Sequence, residues 1–328
     1  MKDGSNHNSI FLKRKESTSS GVIKVGFLVS YDWKLLRNAL LAIYKAADVI
    51  WLAIDTQRLS WSGNTYIFNT EEFNAFLYEV DVEKKIFVYE DNFYIPGLSP
   101  MECEVRERNM LSTKMGEGGW HIQLDADEYF IDFEGFVAYL RKLNPNPLPT
   151  QKALTVRGHW LSLVKRLPDG YLYVKDTIET VHTFSLATNV PVYVYGRNTA
   201  HFNYICPFFV IHDTWARSAE ELQFKLDNWG HSTLELANPE VRRSYLELWK
   251  ALDKYNYQFV KNFYFGNAGG WPALAFQSCS SIEELIAQLK PTLPSLFNSS
   301  TLFFKNSRLL AYLLIIYNRI MIILCRNK

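Results

Sequence analysis

The sequence has few features of a secreted, zinc-binding or nucleic-acid-binding protein. Its four cysteines show no metal-type spacing; they are Cys103, Cys206, Cys279 and Cys325. Such scattered thiols favour a reduced, cytosolic protein over a disulfide framework. The formal net charge is +1, so no overall field recruits nucleic acid. The first twenty residues lack the apolar core of a signal peptide, and we expect residues 1–21 to form a disordered leader.

The chain also lacks an uninterrupted apolar run long enough to cross a membrane. Residues 309–324 are strongly apolar, but Asn318 and Arg319 interrupt them and the run falls short of the roughly 20 residues that a span needs. Residues 301–328 are therefore expected to form an apolar, basic C-terminal helix. Two interpretations stay open: a helix lying on a membrane surface, or a terminal helix packed on the domain. We expect a cytoplasmic protein, either free or peripheral on the cytoplasmic face of the membrane.

What the chain does have is a large apolar content, 48% hydrophobic and 15% aromatic, which indicates a well-buried core. Near-continuous apolar runs at 23–30, 49–54, 85–89 and 120–124 are typical of parallel strands covered on both faces. Helical patterns separate them, and two begin with capping signals, at Asn69 and at Ser99. This alternation predicts an α/β fold with a doubly wound, mainly parallel sheet.

After residue 147 the pattern changes. Short strands are predicted at 153–160, 171–174, 190–195 and 208–211, the first two joined by a turn, and these predict a smaller mixed sheet. Capping boxes at Ser218 and Ser281 predict further helices.

We expect one principal domain at 22–235, with a nucleotide-binding half at 22–130 and an acceptor half at 131–235. A helical extension at 236–300 and the C-terminal helix would follow it.

Residues 118–130, GGWHIQLDADEYF, are the most informative stretch for function. The apolar strand at 120–124 ends in three carboxylates within four residues. Residues two apart in a strand project to the same face, so Asp125 and Asp127 can converge on one point. Two converging carboxylates favour a cation between them, and hard oxygen ligands suit Mg²⁺ or Mn²⁺. The alternative is an acidic turn that caps the next helix.

The arrangement resembles the nucleotide-sugar-dependent glycosyltransferases of the GT-A fold, closest to the large family 2. The resemblance rests on the segment RERN at 106–109 on a helix, then GGW at 118–120, then LDADE at 124–128, with similar spacing between them. It covers roughly residues 22–230.

This resemblance implies a metal-dependent glycosyltransferase with a nucleotide-sugar donor. It implies a divalent ion, Mn²⁺ or Mg²⁺, at Asp127, with Asp125 on the ion or the nucleotide ribose. Asp55 would lie where the family contacts the nucleobase, although the segment DTQR at 55–58 replaces the family's usual Asp-Gly-Ser turn. Arg106 and Arg108 lie two apart on a helix, so only one should face the diphosphate, and we expect Arg108 to bind the nucleotide.

The remaining site residues are predicted less directly. His212 ends an apolar strand and is the best imidazole candidate for a third metal ligand, and the next helix carries Lys225 nearby. An inverting enzyme also needs a carboxylate base near the acceptor hydroxyl. Glu179 and Asp176 occupy the part of the chain where the family places its base. Asp213 and His201 are alternatives, and a retaining mechanism would need no such base. Aromatic side chains that can stack on sugars include Trp160 and Trp215.

The function predicted from these residues is transfer of a sugar to a glycan or lipid-linked acceptor, in cell-surface polysaccharide or lipopolysaccharide synthesis. One alternative is a non-catalytic relative that binds glycans or acts as a scaffold. A second alternative is a sugar nucleotidyltransferase. That enzyme would need a glycine-rich, basic phosphate loop after the first strand, and the segment SYDWK stands there at 30–34 instead.

Overall fold

The computed structural model describes residues 21–146, 151, 153–175, 183–228, 230, 238–260, 274–293, 299–310, 312–313 and 316–317. The strands are β1 Ile23–Val29, β2 Val49–Asp55, β3 Ile86–Asp91, β4 Trp120–Asp125, β5 Glu128–Phe130, β6 Leu154–Leu167, β7 Gly170–Val174, β8 Thr183–Thr188, β9 Phe202–His212 and β10 Leu274–Ser278. The helices are α1 Leu36–Ile43, α2 Thr70–Val80, α3 Pro100–Met115, α4 Phe133–Leu140, α5 Ala219–Asn228, α6 Pro239–Ala251, α7 Ile282–Leu289 and α8 Ser299–Asn306.

The fold is α/β, with one large mixed sheet. The strand order is β10-β7-β6-β8-β4-β1-β2-β3, and β9 pairs with both β6 and β5. Strands β3, β2, β1 and β4 are parallel, whereas β8 runs antiparallel to β4 and to β6. The predicted smaller mixed sheet is therefore a continuation of the parallel sheet beyond β4, rather than a separate sheet.

The parallel strands are buried as their apolar runs predict. Every residue of β1 is buried, and β4 is buried from Trp120 to Leu124. Helix α3 packs on this part of the sheet at Gly26, where an added Cβ would lie 2.8 Å from the Leu111 side chain. One turn earlier in the helix, Arg108 lies within hydrogen-bond distance of Asp125 at the carboxyl end of β4.

The predicted helix starts are confirmed. The Asn69 side chain accepts from the backbone N–H of Glu72, and Ser99 with Glu102 forms a reciprocal capping box. The box at Ser218 is also present, since the backbone N–H of Ser218 donates to Glu221 and that of Glu221 donates to the Ser218 hydroxyl. The predicted hairpin is confirmed as β6 and β7.

One predicted strand, at 190–195, is wrong. Tyr195 forms only an isolated bridge with Asn198. The backbone N–H and carbonyl of Tyr193 bond instead to the side-chain amide of Asn109 on α3, at 3.0 Å each. A side chain therefore satisfies the backbone groups that a strand would have paired.

The C-terminal parts differ from the expected helical extension in one respect. The range 236–300 contains α6 and α7 but also β10, which pairs antiparallel with β7 and extends the sheet. Within the described residues, no helix combines the length and the apolar character that a membrane crossing requires. The three described cysteines, Cys103, Cys206 and Cys279, are buried free thiols.

Candidate active site

A cavity of about 500 Å³ opens at the carboxyl edge of the parallel strands. Its first wall comes from the ends of β1, β2 and β4, including Asp32, Asp55, Asp125 and Asp127. The opposite wall comes from the antiparallel part of the sheet, and Lys225 on α5 lies between the two. Open α/β sheets bind ligands at this edge, and the predicted residues Asp55, Asp125 and Asp127 lie there in the cavity wall.

Asp127 is held at this edge by the pairing of two short segments. After β4 the chain turns and forms β5, in which Glu128 lies opposite His212 of β9. The backbone carbonyl of Asp127 accepts from the backbone N–H of Asp213 at 2.9 Å. The turn thereby brings Asp127 beside the end of β9 and the start of α5.

The carboxylate of Asp127 is buried, 2% exposed, and lies against two cations. Its Oδ2 accepts from Lys225 Nζ at 2.5 Å and from Arg217 Nη2 at 2.5 Å. Burial alone favours the neutral acid, but Lys225 and Arg217 hold the pKa of Asp127 well below its usual range. Asp127 is therefore an ion-paired carboxylate at neutral pH.

Arg217 also binds a carboxylate that the sequence reasoning missed. Its Nη2 lies 3.1 Å from Oδ2 of Asp32, which follows β1. Burial raises the pKa of Asp32 even though Arg217 opposes this change. Arg217 thus joins the ends of β1 and β4 through two acids.

Asp125 has its own pair of arginines. Arg108 Nη2 donates to its Oδ1 at 2.8 Å, and Arg197 Nη2 lies 3.6 Å from its Oδ2. Burial favours the neutral acid here too, but the two guanidinium groups lower the pKa of Asp125. The spacing predicted that only one of the two helix arginines would face the site, and Arg108 is the one that contacts Asp125. Arg108 is fully buried behind this acid and does not itself line the cavity, so its predicted contact with the nucleotide stays a prediction. Arg106 instead donates to the backbone carbonyls of Asn92 and Phe93.

Glu128 supports the turn that carries Asp125. It is fully buried and receives two hydrogen bonds from Arg197, at 2.5 and 2.6 Å, and one from Trp160 Nε1 at 2.9 Å. Its Oε2 also accepts from the backbone N–H of Asp125 at 3.0 Å. Arg197 lies in a loop without a motif, 69 residues from Glu128 along the chain, so no local pattern pointed to it.

His212 lies near Asp127, with its Nε2 at 3.7 Å from Oδ2. Burial lowers the pKa of His212 to about 3, so the ring is neutral. A neutral imidazole suits a metal ligand. The neighbouring carboxylate, however, already accepts from Lys225 and Arg217, and the described residues contain no group of three or more His, Cys, Asp or Glu arranged to hold a metal ion. These side chains, in the positions that they occupy, do not form a metal-binding site. The binding of Mn²⁺ or Mg²⁺ stays a prediction.

Asp55 lines the cavity, but its two carboxylate oxygens bind backbone. Oδ1 accepts from the N–H groups of Gln57 and Leu59, and Oδ2 accepts from those of Phe93 and Tyr94. Asp55 therefore fixes the two loops that follow β2 and β3. Its predicted contact with a nucleobase would have to coexist with these bonds.

The other predicted residues lie away from the cavity wall or outside the described part of the chain. His201 Nε2 bonds to the Val190 carbonyl at 2.8 Å, and Trp215 is buried against Tyr245 in a separate apolar cluster. Asp213 accepts from the Tyr129 hydroxyl at 3.2 Å, its Oδ1 has no hydrogen-bond partner among the described residues, and burial raises its pKa to about 6. Asp176 and Glu179 lie outside the described residues.

Of Trp160 and Trp215, Trp160 is the one that lines the cavity. Its ring stacks on Phe184 at 4.4 Å between centroids and lies 4.9 Å from the His212 ring. Arg157, Ser162 and Thr183 extend the same wall. Aromatic and polar side chains together are typical of the lining of a small-molecule site.

In a comparison with known proteins, no family model matches the chain, and no curated protein is significantly similar to it.

Proposed function

We propose that this chain is a glycosyltransferase that moves a sugar from a nucleoside-diphosphate donor to a glycan or lipid-linked acceptor. The observation that carries the proposal is the position of Asp125 and Asp127. Both lie at the carboxyl edge of the parallel strands, in a cavity whose opposite wall carries Trp160. The sequence resemblance to the GT-A glycosyltransferases of family 2 supports the same assignment.

The two walls of the cavity suit the two parts of this reaction. The acids and cations at the ends of β1 and β4 would face the donor diphosphate, and the wall formed by β6 and β8 would receive the sugar and the acceptor. In the reaction, the bond from the anomeric carbon to the diphosphate oxygen breaks, and the electron pair stays on the diphosphate. The acceptor hydroxyl oxygen bonds to the anomeric carbon, and in an inverting reaction its proton passes to a carboxylate base.

The setting is expected to be the synthesis of a cell-surface polysaccharide or lipopolysaccharide, on the cytoplasmic face of the membrane. The base is proposed to be Glu179 or Asp176.

The proposal is tested by thermal unfolding of the full chain with nucleoside diphosphates and, as controls, the matching monophosphates. A ligand that binds only the folded state at about 100 times its Kd stabilises it by about 2.7 kcal/mol. We expect one or more diphosphates to raise Tm. No shift with any nucleoside diphosphate, with or without Mn²⁺, would contradict the proposal.

The non-catalytic alternative is favoured by one observation, that the carboxylates of Asp125 and Asp127 are both engaged in ion pairs. A binding protein of this kind would show the same thermal shift. It would not release nucleoside diphosphate from a nucleotide sugar, which separates the two functions.

A further inference from the structure

We propose that Lys225, backed by Arg217, provides the positive charge that a divalent ion would bring to the donor diphosphate, so that sugar transfer does not require a metal. This inference rests on the proposed function and concerns how the same site neutralises the leaving group. It starts from the contacts of one carboxylate oxygen, Oδ2 of Asp127.

That oxygen has two charged donors. Lys225 Nζ and Arg217 Nη2 each lie 2.5 Å from it. Hydrogen bonds between ionised groups are among the strongest in proteins. A divalent ion that used this oxygen would have to displace both donors or share it with two positive charges.

The two cations also match a divalent ion in formal charge. Together Lys225 and Arg217 carry +2, and they face two carboxylates, Asp127 and Asp32. Asp125 and Glu128 are paired separately by Arg108 and Arg197. Each of these four acids therefore has a side-chain cation as a partner, and Arg108 is shared between Asp125 and Glu104.

Lys225 is the member of the pair that reaches the cavity. It lines the cavity wall, whereas the Arg217 side chain lies behind it, 3% exposed. A lysine ammonium group has three donor protons. Asp127 accepts from Lys225 through one oxygen, and the remaining donors can serve a ligand in the cavity.

The position of Lys225 is fixed by the fold. Helix α5 begins at the Ser218–Glu221 capping box, and its Leu222 and Leu226 are buried in an apolar cluster with Trp215 and Trp249. Lys225 lies between these apolar positions and is 6% exposed. A preorganised charge of this kind needs little rearrangement as the leaving group becomes negative.

In the reaction, Lys225 would donate hydrogen bonds to the diphosphate oxygens as the bond to the anomeric carbon breaks. It transfers no proton, and its charge stabilises the electron pair left on the leaving oxygen. Arg217 would act through Asp127 and Asp32 and is a positioning residue.

The first test needs no variant. The full chain is freed of metal with a chelator. Its Kd values for UDP, GDP, ADP and CDP are then measured by titration calorimetry, first with chelator present and then with Mn²⁺. We expect the best diphosphate to bind in both conditions with a Kd that changes by less than about threefold, because the protein already provides the charge.

Two other outcomes are informative. Binding that appears only with Mn²⁺ would overturn the inference and leave the proposed function standing. An absence of binding in both conditions would overturn the proposed function and the inference with it.

The second test uses Lys225→Met, with Lys225→Arg as the conservative variant and Lys250→Met as a matched control on the exposed surface of α6. Loss of one charged donor to a developing anion typically lowers kcat by about 10²–10³. We expect that loss for Lys225→Met, a smaller loss for Lys225→Arg and none for Lys250→Met. We also expect Mn²⁺ to restore part of the activity of Lys225→Met, because that variant frees a position on Asp127. Normal metal-free transfer by a folded Lys225→Met protein would overturn the inference.

Discussion

Two buried aspartates at the carboxyl edge of the same sheet, Asp55 at the end of β2 and Asp127 after β4, have entirely different partners. Asp55 accepts four hydrogen bonds from backbone N–H groups. Asp127 accepts from Lys225 and Arg217, which lie 98 and 90 residues away in the sequence. The first acid joins two neighbouring loops, whereas the second joins the two halves of the cavity.

Position at a strand end therefore does not by itself give a carboxylate its role. Backbone donors are neutral and immobile, so Asp55 stabilises local structure. Side-chain cations can exchange one anionic partner for another, so the cluster around Asp127 can receive a diphosphate. The comparison leads to four predictions.

The largest effect is expected for Asp127→Asn. The substitution leaves Lys225 and Arg217 buried with one fewer carboxylate, and breaking a buried pair by removing one partner typically costs about 3–5 kcal/mol. We expect the variant to fold with a lower free energy of unfolding and to lose sugar transfer. Chemical denaturation and donor turnover measure the two effects, and full transfer by the folded variant would remove Asp127 from the site.

Asp55→Asn is expected to affect stability more than transfer. The new amide NH₂ group would face backbone N–H groups that bond to a carboxylate oxygen in the parent protein. Each buried donor left unpaired in this way costs about 1–3 kcal/mol of stability. Nucleotide affinity should fall only to the extent that the substitution loosens the two loops that follow β2 and β3. Unchanged stability together with a large loss of nucleotide affinity would show that Asp55 is mainly a ligand contact, as the sequence predicted.

A pH-dependent effect is expected at Glu107, which lines the same cavity and accepts from Trp61 Nε1 at 2.6 Å. Burial raises the pKa of Glu107 from 4.5 to about 8. A raised pKa means that the protonated acid stabilises the fold. That contribution is complete below about pH 4.5 and is lost as the pH rises through 8.

Glu107→Gln keeps a neutral acceptor for Trp61 and removes the titration. We therefore expect the variant to unfold at a higher temperature than the parent protein at pH 8, with the difference shrinking towards pH 5. Calorimetric Tm values across this range check the prediction. A difference that does not change with pH would show that Glu107 is ionised throughout.

The smallest effect concerns helix α8. Asn306 ties its end to β9 through two hydrogen bonds with the Ile205 backbone, while Phe303 and Phe304 are 70% and 60% exposed. Exposed apolar groups near Lys305 and Arg308 suit a membrane surface with anionic lipids, where each basic residue contributes about 1 kcal/mol. We expect the full chain to co-sediment with vesicles containing phosphatidylserine.

The doubly substituted Phe303→Ser, Phe304→Ser protein should co-sediment less. It keeps Asn306 and with it the contact to the fold, so equal partitioning of both proteins would show that these side chains do not contact lipid.

Much of the parallel half of the fold could be predicted from the sequence, because its strands are continuous apolar runs and its helices α2 and α3 begin with capping residues. Asp125 and Asp127 could be predicted for the same reason, since they end such a run two residues apart. The helix before that strand pointed to Arg106 and Arg108 together, and the structure is what shows that Arg108 contacts Asp125.

The cations that bind these acids were harder to predict. Arg197 lies in an irregular loop, and Arg217 precedes a capping box, where a basic residue is ordinarily solvated. Their contacts form because β9 and α5 lie beside the end of β4 in the folded protein. That placement depends on the topology of the whole sheet and not on any local sequence pattern. One signal was available: buried acids require cationic partners, and an excess of strand-end carboxylates implies arginines or lysines elsewhere in the chain.

The central claim is that the charged cluster around Asp127 is a nucleotide-sugar site. The most direct measurement is release of nucleoside diphosphate from a panel of nucleotide sugars, with glycan and lipid extracts as acceptors, by the parent protein, Asp127→Asn and Asp55→Asn. We expect release from at least one donor by the parent protein, loss of release in Asp127→Asn, and release by Asp55→Asn that equals the parent's when it is calculated per folded molecule. Equal release by all three proteins, or none by the parent protein with any donor, would contradict it.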